Sequence, residues 1–238
     1  MLSPHLATAQ GANAANLTEG QPLHLEDAEA AHGAQVQSSF RYSRTYQSQS
    51  QYYISPQWQQ GLGQYWHYQI SVQTLAGPAD RTTSGDVQLL LFRQLNVERG
   101  KLPAFAVAGE ATVPSGIGSA GLDTRLKVIL SKSLGAIPGR DRFHMNGDWY
   151  HNAGKHLDER SHYYGAAIGY THAWDRRTAL IIDFWRQQQR QIGETYNLAE
   201  AGLRRRVSEK AVVSIAGSAG IGQQSPKFRI SFSVEYGL

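Results

Sequence analysis

Hydrophobic and polar side chains alternate at every second position through most of the chain after residue 33. The alternation is clearest at the C-terminal end, where residues 228–236 read FRISFSVEY. A period of two places successive side chains on opposite faces of an extended strand, whereas an amphipathic helix needs a period of about 3.6. The pattern therefore predicts a chain built from β-strands, each with one apolar and one polar face.

Twelve such segments follow one another along the chain. Most are about ten residues long, the length that a tilted strand needs to cross a bilayer, whereas strands of soluble sheets are most often about five or six residues long. We predict an all-β fold: a single antiparallel transmembrane β-barrel of about twelve strands over 34–238, arranged as an up-and-down meander. The segments lie at about 34–46, 51–60, 65–75, 86–95, 103–113, 123–133, 142–152, 162–174, 178–190, 196–206, 211–219 and 228–238.

The composition fits a membrane-spanning sheet and excludes several other classes of protein. Hydrophobic residues make up 41% of the 238 residues, and the mean hydropathy is −0.44. No apolar run approaches the ~18 residues of a transmembrane helix, but alternating strands keep the mean hydropathy low even when they cross a bilayer. The absence of Cys rules out disulfides and thiolate metal ligands. The net charge of +4 is a small excess, so we expect no nucleic-acid partner.

The first 33 residues do not alternate and precede the predicted barrel. Leu6-Ala7-Thr8-Ala9-Gln10 has the small-x-small form of a signal-peptidase site, so residues 1–20 are interpreted as a signal-peptide remnant or a flexible tail. Residues 21–33 are mostly polar and are interrupted by Pro22. We expect them to form a periplasmic lead-in segment to the first strand.

The connections between the segments alternate between short turns and longer loops rich in Gly, Ser and charge. In an outer-membrane barrel the short turns face the periplasm and the longer loops face outward. An even number of strands then places the N-terminal start of the first strand and the C-terminal end of the last strand on the periplasmic side. The pattern predicts a protein of the bacterial outer membrane, in contact with the lipid bilayer and with lipopolysaccharide.

The last segment runs to the end of the sequence, at Tyr236-Gly237-Leu238. An alternating, aromatic C-terminal strand is typical of the signal that the barrel-assembly machinery recognises in outer-membrane proteins. That signal usually ends in Phe or Trp, and here the last residue is Leu. We expect the barrel-assembly machinery to be a partner of this strand.

The polar faces of the segments carry charged and histidine side chains in a common phase. If the apolar faces contact lipid, these side chains point inward and line the lumen. There they either pair with one another and stabilise a closed interior, or line a polar path that selects a small-molecule solute. The predicted lumen-lining residues are Arg41, His67, Glu110, Arg125, Lys127, His144, Asp148, Asp183, Glu200, Arg204, Arg229 and Glu235.

A histidine-rich stretch invites comparison with the outer-membrane phospholipases, which activate a Ser with His and Asn side chains on adjacent strands. His151 and Asn152 are consecutive, so on a strand they point to opposite faces, and Ser161 falls in a loop. His151, His156 and His162 lack the spacing of a defined metal site. We therefore predict no catalytic residues, no metal and no cofactor.

Three short motifs carry a resemblance to a known family: Pro22-Leu23-His24-Leu25-Glu26-Asp27-Ala28, Gly85-Asp86-Val87-Gln88-Leu89 and Val113-Pro114-Ser115-Gly116. With these motifs and its glycine-spaced later strands, the chain from residue 22 onward resembles the outer-membrane β-barrel transporters named for the MetA pathway of phenol degradation. The resemblance implies an outer-membrane barrel that acts as a passive channel for small molecules, aromatic or apolar ones included.

Three other arrangements stay open at this point. A closed barrel without transport has a structural or scaffolding role, and a lumen filled by ion pairs or by residues 20–33 would favour it. A membrane-embedded lipid hydrolase requires a Ser, a His and a third polar group that converge on the barrel wall. A soluble β-sandwich would bring the apolar faces of the strands together.

Overall fold

The computed structural model describes residues 23–238 except 78–83, 118, 120, 136 and 138. No helix in this part of the chain is long and apolar enough to cross a membrane. The described residues form strands that are joined by turns and loops. The strands are β1 (Ala34–Arg44), β2 (Ser50–Gly61), β3 (Trp66–Val72), β4 (Thr74–Ala76), β5 (Val87–Asn96), β6 (Ala104–Val113), β7 (Asp123–Leu134), β8 (Asp141–His151), β9 (His162–Ala173), β10 (Thr178–Gln188), β11 (Thr195–Arg206), β12 (Ala211–Gly220) and β13 (Phe228–Gly237).

The strands form a closed antiparallel barrel in which each strand pairs with its neighbours along the chain. The first strand closes the ring because β1 pairs with β2 on one side and with β13 on the other. The short β4 continues β3 after Gln73, and both pair with β2, so together they fill one place in the wall. The predicted twelve-stranded up-and-down barrel is confirmed, with β4 as one additional strand element.

The strand boundaries differ from the predicted segments by two residues or fewer. The register keeps the alternation in phase around the ring, from Gln35↔Gly237 to Arg44↔Phe228 at the closure between β1 and β13. Closure matters because a sheet edge inside a bilayer would leave N–H and C=O groups without partners. The ring of paired strands satisfies these groups.

The apolar side chains face outward and the polar side chains face inward, the reverse of a soluble barrel. On β7, for example, Leu126 and Val128 are more than half exposed, whereas Lys127 between them is 4% exposed. Such an exterior is stable in contact with lipid and would be unfavourable in water. The closed barrel with its apolar outer face places the protein in the bacterial outer membrane, as predicted, with the lipid bilayer around it.

Aromatic side chains lie near both ends of the strands on the outer face. Amphipathic rings at these two levels are the usual mark of the membrane–water interfaces of a barrel. Near one end lie Trp58, Trp66, Trp174 and Tyr236, and near the other lie Tyr42, Tyr52, Tyr164 and Phe228.

The two ends of the barrel differ in their connections. The terminal end holds the start of β1 and the end of β13, together with the ends of the strands joined by the connections after β2, β5, β7, β9 and β11. The loop end holds the ends of the strands joined by the connections after β1, β4, β6, β8, β10 and β12. The shorter turns therefore lie at the same end of the barrel as the start of β1 and the end of β13, as the sequence predicted.

Candidate functional site in the barrel lumen

Residues 23–33, called the plug segment from here on, run through the lumen before the chain enters β1. The first part of the plug segment packs on the wall formed by β10 and β11. Leu23 and Leu25 are buried there against Ile181, Trp185 and Leu198. Sequence analysis placed residues 21–33 before the barrel as a lead-in, and the structure shows that the described part of this lead-in runs inside it.

The second part of the plug segment packs on the opposite wall. Ala28 and Ala30 are buried against Leu90, Phe92 and Ile129 of β5 and β7. The inward side chains of β6 at this level are small, which leaves room for a second chain in the lumen. They are Ala104, Ala106 and Ala108.

Inward polar side chains of the wall accept hydrogen bonds from the backbone of the plug segment. The N–H groups of Ala28, Ala30 and Ala31 donate to Ser131 Oγ at 3.0 Å, Gln94 Oε1 at 3.1 Å and His67 Nδ1 at 3.1 Å. Buried N–H groups need such partners because burial removes the hydrogen bonds that they would make with water. The register between β5 and β6 shifts beside Gln94, at a β-bulge, which is a common device for redirecting a side chain.

Ion pairs add a second set of contacts between the plug segment and the wall. Arg142 Nη1 lies 2.6 Å from Asp27 Oδ2 and 2.9 Å from Glu29 Oε1. Lys127 pairs with Glu26, and His24 bonds to Glu200 and stacks on Trp185 with 4.0 Å between ring centroids. Paired buried charges of this kind hold a segment in one position, because removing either partner leaves an uncompensated charge.

A polar cavity of about 320 Å³ lies in the lumen between the plug segment and the loop end. The plug segment contributes His24 and Glu26 to its lining. Its other lining residues are mainly Ser, Gln, Tyr and charged residues from β1 to β3 and β5 to β8, and Trp185 and Gln187 come from β10. The volume is at the lower end of the range for small-molecule pockets, about 300 to 1,000 Å³.

All twelve predicted lumen-lining residues lie on the inner side of the wall, but they do not form one site. Several of them meet at the cavity: Arg125 Nη2 lies 2.5 Å from Glu110 Oε2, and Asp148 Oδ1 lies 3.9 Å from Arg125 and 3.8 Å from Lys127. Arg41 also lines the cavity, on the wall formed by β1 and β2. These residues are the part of the predicted set that a solute in the cavity would meet.

The other predicted residues lie beside or beyond the plug segment. His67 contacts its backbone and Glu200 its His24 side chain, and Asp183 lies near the backbone of His24 and Leu25. His144 is fully buried between Ser131 Oγ at 3.0 Å and Thr171 Oγ1 at 3.1 Å. Arg204 and Glu235 pair at 3.2 Å on the wall formed by β11 to β13, and Arg229 lies near His24.

Sequence reasoning missed Arg142, and it considered a lumen filled by residues 20–33 only as the mark of an alternative, closed barrel. Arg142 shares the inward phase of His144 and Asp148 on β8, so the alternation alone contained the signal that it points into the lumen. Tyr53 and Tyr150 also line the cavity, and the same phase marks them. Nothing in the period-two pattern marks Leu23 or Leu25, since the plug segment does not alternate.

The histidine-rich stretch at the loop end forms two separate sets of contacts. His151 Nδ1 lies 3.3 Å from His162 Nδ1, and both rings stack with Trp149 on the outer face. Asn152 points to the other side and donates to Glu159 Oε2 at 3.1 Å. Among the described residues, no group of three or more His, Asp or Glu side chains is arranged to hold a metal ion.

The second and third motifs of the family resemblance meet at the loop end. Gly116 N donates to Asp86 Oδ1 at 2.8 Å, Ser119 donates to the same atom, and Ser115 Oγ donates to Gly85 O at 3.0 Å. A Cβ at Gly116 would lie 2.4 Å from Ser84 O, so only glycine fits at this position. These motif residues join the loop after β4 to the loop after β6.

Comparison with known proteins gives similarity at the level of fold. No family model matches the sequence, and no curated protein matches it. An outer-membrane channel from Pseudomonas putida F1 is similar with a TM-score of 0.68 and 12% identity, covering 94% of this chain and 100% of that one. The NanC porin is similar with a TM-score of 0.63 and 11% identity, over 87% of this chain and 100% of that one.

A third solved structure, the CymD monoaromatic hydrocarbon channel, has a TM-score of 0.50 and 8% identity, with 87% of this chain and 89% of that one covered. At these identities the similarity shows the barrel fold alone. These three solved structures are named as two outer-membrane channels and a porin.

Proposed function

We propose that this protein is a passive outer-membrane channel for small molecules, with the plug segment as its narrowest point. The observation that carries the proposal is the polar cavity inside a closed, lipid-facing barrel. An apolar filling would serve a purely structural barrel better, because buried polar and charged groups stabilise a core only weakly or not at all. Polar lining residues instead suit a path for solutes that carry hydrogen-bonding groups.

The proposed solutes are small and include aromatic ones. The cavity has room for a solute of small-molecule size, and Tyr53, Tyr150 and Trp185 give it flat ring surfaces. CymD is named as a monoaromatic hydrocarbon channel, and the family resemblance of this sequence implies the same kind of solute. The many Gln and Ser side chains around the cavity favour aromatic solutes with a polar group over pure hydrocarbons.

The barrel has a defined orientation in the membrane and a defined strand for its assembly. The terminal end, with the shorter turns, faces the periplasm, and the loop end faces outward toward lipopolysaccharide. The C-terminal strand β13, which pairs with both β1 and β12, is the element that the barrel-assembly machinery recognises.

A closed scaffolding barrel is the second candidate, and the filled lumen is the observation that favours it. Sequence analysis named ion pairs and an N-terminal filling as the marks of such a barrel, and the structure has both at the level of Arg142 and Lys127. The two candidates differ in one property: whether the plug segment leaves an aqueous path, either in its present position or when it moves.

Single-channel conductance of the refolded protein in a planar bilayer separates the candidates. The key variant is Asp27→Asn with Glu29→Gln, which removes both carboxylate partners of Arg142. We expect discrete conductance steps from the wild type and larger or more frequent steps from the variant, because its plug segment is held less tightly.

The matched control is Asp175→Asn with Glu209→Gln, which removes the same charge from exposed turns at the same end of the barrel. Heat-dependent gel mobility confirms that each protein is folded. If the wild type and the plug variant are both folded, inserted and silent, the scaffolding barrel is correct. If the wild type conducts and the plug variant conducts identically, the channel stands but the plug segment is not its narrowest point.

A further inference from the structure

The outer face of the barrel carries an apolar groove of about 630 Å³ that lies along β6. The small residues Gly109 and Ala111 of β6 form its floor. Leu89 and Leu91 of β5 stand on one side of the floor, and Leu126 of β7 stands on the other. The three leucines are between 44% and 56% exposed, so their side chains rise from the wall and enclose the groove from two sides.

Packing within the barrel does not account for the glycine in this floor. A Cβ at Gly109 would lie 3.9 Å from Leu126 Cδ2, its nearest neighbour among the described residues, which is an ordinary van der Waals distance. A larger side chain would therefore fit at Gly109 without a backbone clash. Because an empty groove forfeits van der Waals contacts, the space on this lipid-covered face is suited to a hydrocarbon chain of a lipid.

Polar side chains lie beside the groove, toward the loop end. The register places four residues side by side on the outer face of β6 to β9: Ala111, Thr124, His151 and His162. Neighbouring strands are about 4.8 Å apart, so His151 lies roughly 10 Å from the groove floor. His151 Nδ1 and His162 Nδ1 are 3.3 Å apart. Trp149 connects the two features, because it lines the groove and stacks on His162 with 5.3 Å between ring centroids.

The histidine pair lies at the level where lipid head groups begin. Trp149 and Tyr164 are paired rings of the kind that mark a membrane–water interface, and the two histidines follow them toward the loop end. Imidazole N–H groups donate to anionic oxygens, and more strongly when the ring is charged. Asp123, the acid beside Thr124 in the sequence, has the inward phase and pairs with Arg190. It therefore does not oppose an anion, such as a phosphate, on the outer face.

We infer that the groove and the histidine pair form a binding site for lipid A, the phosphorylated and acylated anchor of lipopolysaccharide. One acyl chain lies over Gly109, and a phosphate of the head group contacts His151 and His162. The choice of lipid A over a phospholipid rests on the proposed orientation, in which the loop end faces outward toward lipopolysaccharide. The test does not depend on that proposal, because lipid binding is measurable whether or not the barrel conducts.

The experiment is native mass spectrometry of the refolded full chain in detergent micelles, titrated with purified lipid A and, separately, with phosphatidylethanolamine. Phosphatidylethanolamine also has acyl chains and a phosphate, but its ammonium group cancels the charge of that phosphate. Gly109→Leu fills the groove, and His151→Gln with His162→Gln removes both imidazoles. Heat-dependent gel mobility verifies folding of each protein.

Each variant has a matched control on the outer face. Gly217→Leu makes the same substitution on β12, where a Cβ would meet no described atom within 4 Å, so it adds the same side chain away from the groove. His172→Gln removes an outward histidine of β9 at the terminal end, where it is paired with Asp141. The two controls separate the site from general effects of an altered lipid-facing surface.

We expect lipid A to bind the wild type and both controls equally, and phosphatidylethanolamine to bind the wild type more weakly. Gly109→Leu and the double histidine variant each weaken lipid A binding about tenfold, because the first removes acyl-chain contacts and the second removes charge-assisted hydrogen bonds.

Equal lipid A binding by all these proteins overturns the inference, and so does equal binding of the two lipids by the wild type. A wild-type dimer that Gly109→Leu abolishes, with lipid A binding unchanged, also overturns it, because a second copy of the chain then fills the groove. A protein that binds lipid A in the expected pattern but is silent in bilayers keeps the site and loses the channel. One that conducts without binding lipid A keeps the channel and loses the site.

Discussion

At the residue scale, the interior of this barrel is organised by polar side chains that replace the hydrogen bonds of water. Gln94, Ser131 and His67 each accept a backbone N–H of the plug segment, so that an unpaired chain can lie in the lumen. Asp86 serves the same purpose between two loops, where it accepts the N–H of Gly116. The motifs that carry the family resemblance are therefore positions where one chain segment holds another.

Glu98 is the residue whose ionisation we expect to affect stability. It lies in the turn after β5 and accepts from Lys132 Nζ at 2.6 Å, Ser133 N at 3.0 Å and Ser133 Oγ at 2.9 Å. Partial burial raises the pKa of Glu98, but these hydrogen bonds outweigh it and hold the pKa below its usual range. A carboxyl with a lowered pKa in the folded state stabilises the fold above its unfolded pKa, and this contribution is lost as the pH falls through the folded value.

We therefore expect Glu98→Gln to lower the urea midpoint of unfolding at about pH 7, and the difference from the wild type to shrink toward about pH 3. Urea unfolding in lipid vesicles, followed by tryptophan fluorescence, measures the midpoint of the variant and of the wild type at each pH. Glu209→Gln, in an exposed turn at the same end, is the control and should match the wild type at each pH. A difference that stays constant across this range would contradict the role of the ionised carboxylate.

At the scale of elements, the strands and the plug segment follow different rules. The strands alternate because lipid covers one face and the lumen lies on the other. Some lumen positions are nevertheless apolar, such as Ile129, Ile181 and Trp185. The plug segment explains them, since it brings its own apolar residues to each of these walls.

The sidedness of β7 gives a prediction at this scale. Val128 faces outward and is 53% exposed, next to the inward Lys127. We expect Val128→Arg to reduce the free energy of unfolding in lipid vesicles by about 2 to 4 kcal/mol, because it places a charge against hydrocarbon. Val128→Leu is the control and should change it by less than about 1 kcal/mol. A neutral effect of the arginine would mean that this face does not contact lipid.

At the scale of the whole molecule, closure between the first and last strands turns a sheet into a barrel. The pairs between β1 and β13 bring residues from opposite ends of the sequence side by side. Among the described residues, every strand except the short β4 then has two neighbours, so the ring of long strands leaves no edge toward the bilayer. The plug segment and the cavity both exist only because the ring is closed.

Closure can be tested by a covalent link, since the chain has no Cys. Phe40 and Phe232 are paired, and both side chains are exposed on the outer face. We expect Phe40→Cys with Phe232→Cys to be joined by a short bis-maleimide in the folded protein, because directly opposed Cβ atoms are about 5 Å apart. The linked chain should migrate differently from the unlinked chain on a denaturing gel, even after heating.

The control pair is Phe40→Cys with Ile182→Cys, which places the second thiol on β10, away from β1 in the ring. That pair should remain unlinked within one molecule. Equal linking of the two pairs, or no linking of Phe40→Cys with Phe232→Cys, would contradict the closure.

The sequence alone determined the strands, their number and their two faces, because period-two alternation is a local property that lipid on one side and a polar lumen on the other impose on each strand. Every predicted lumen residue, from Arg41 to Glu235, lies on the inner side for that reason. The tertiary structure decided which of them meet. The pairing of Arg142 with Asp27 and the position of the plug segment depend on contacts between residues far apart in the chain, and no local period records such contacts.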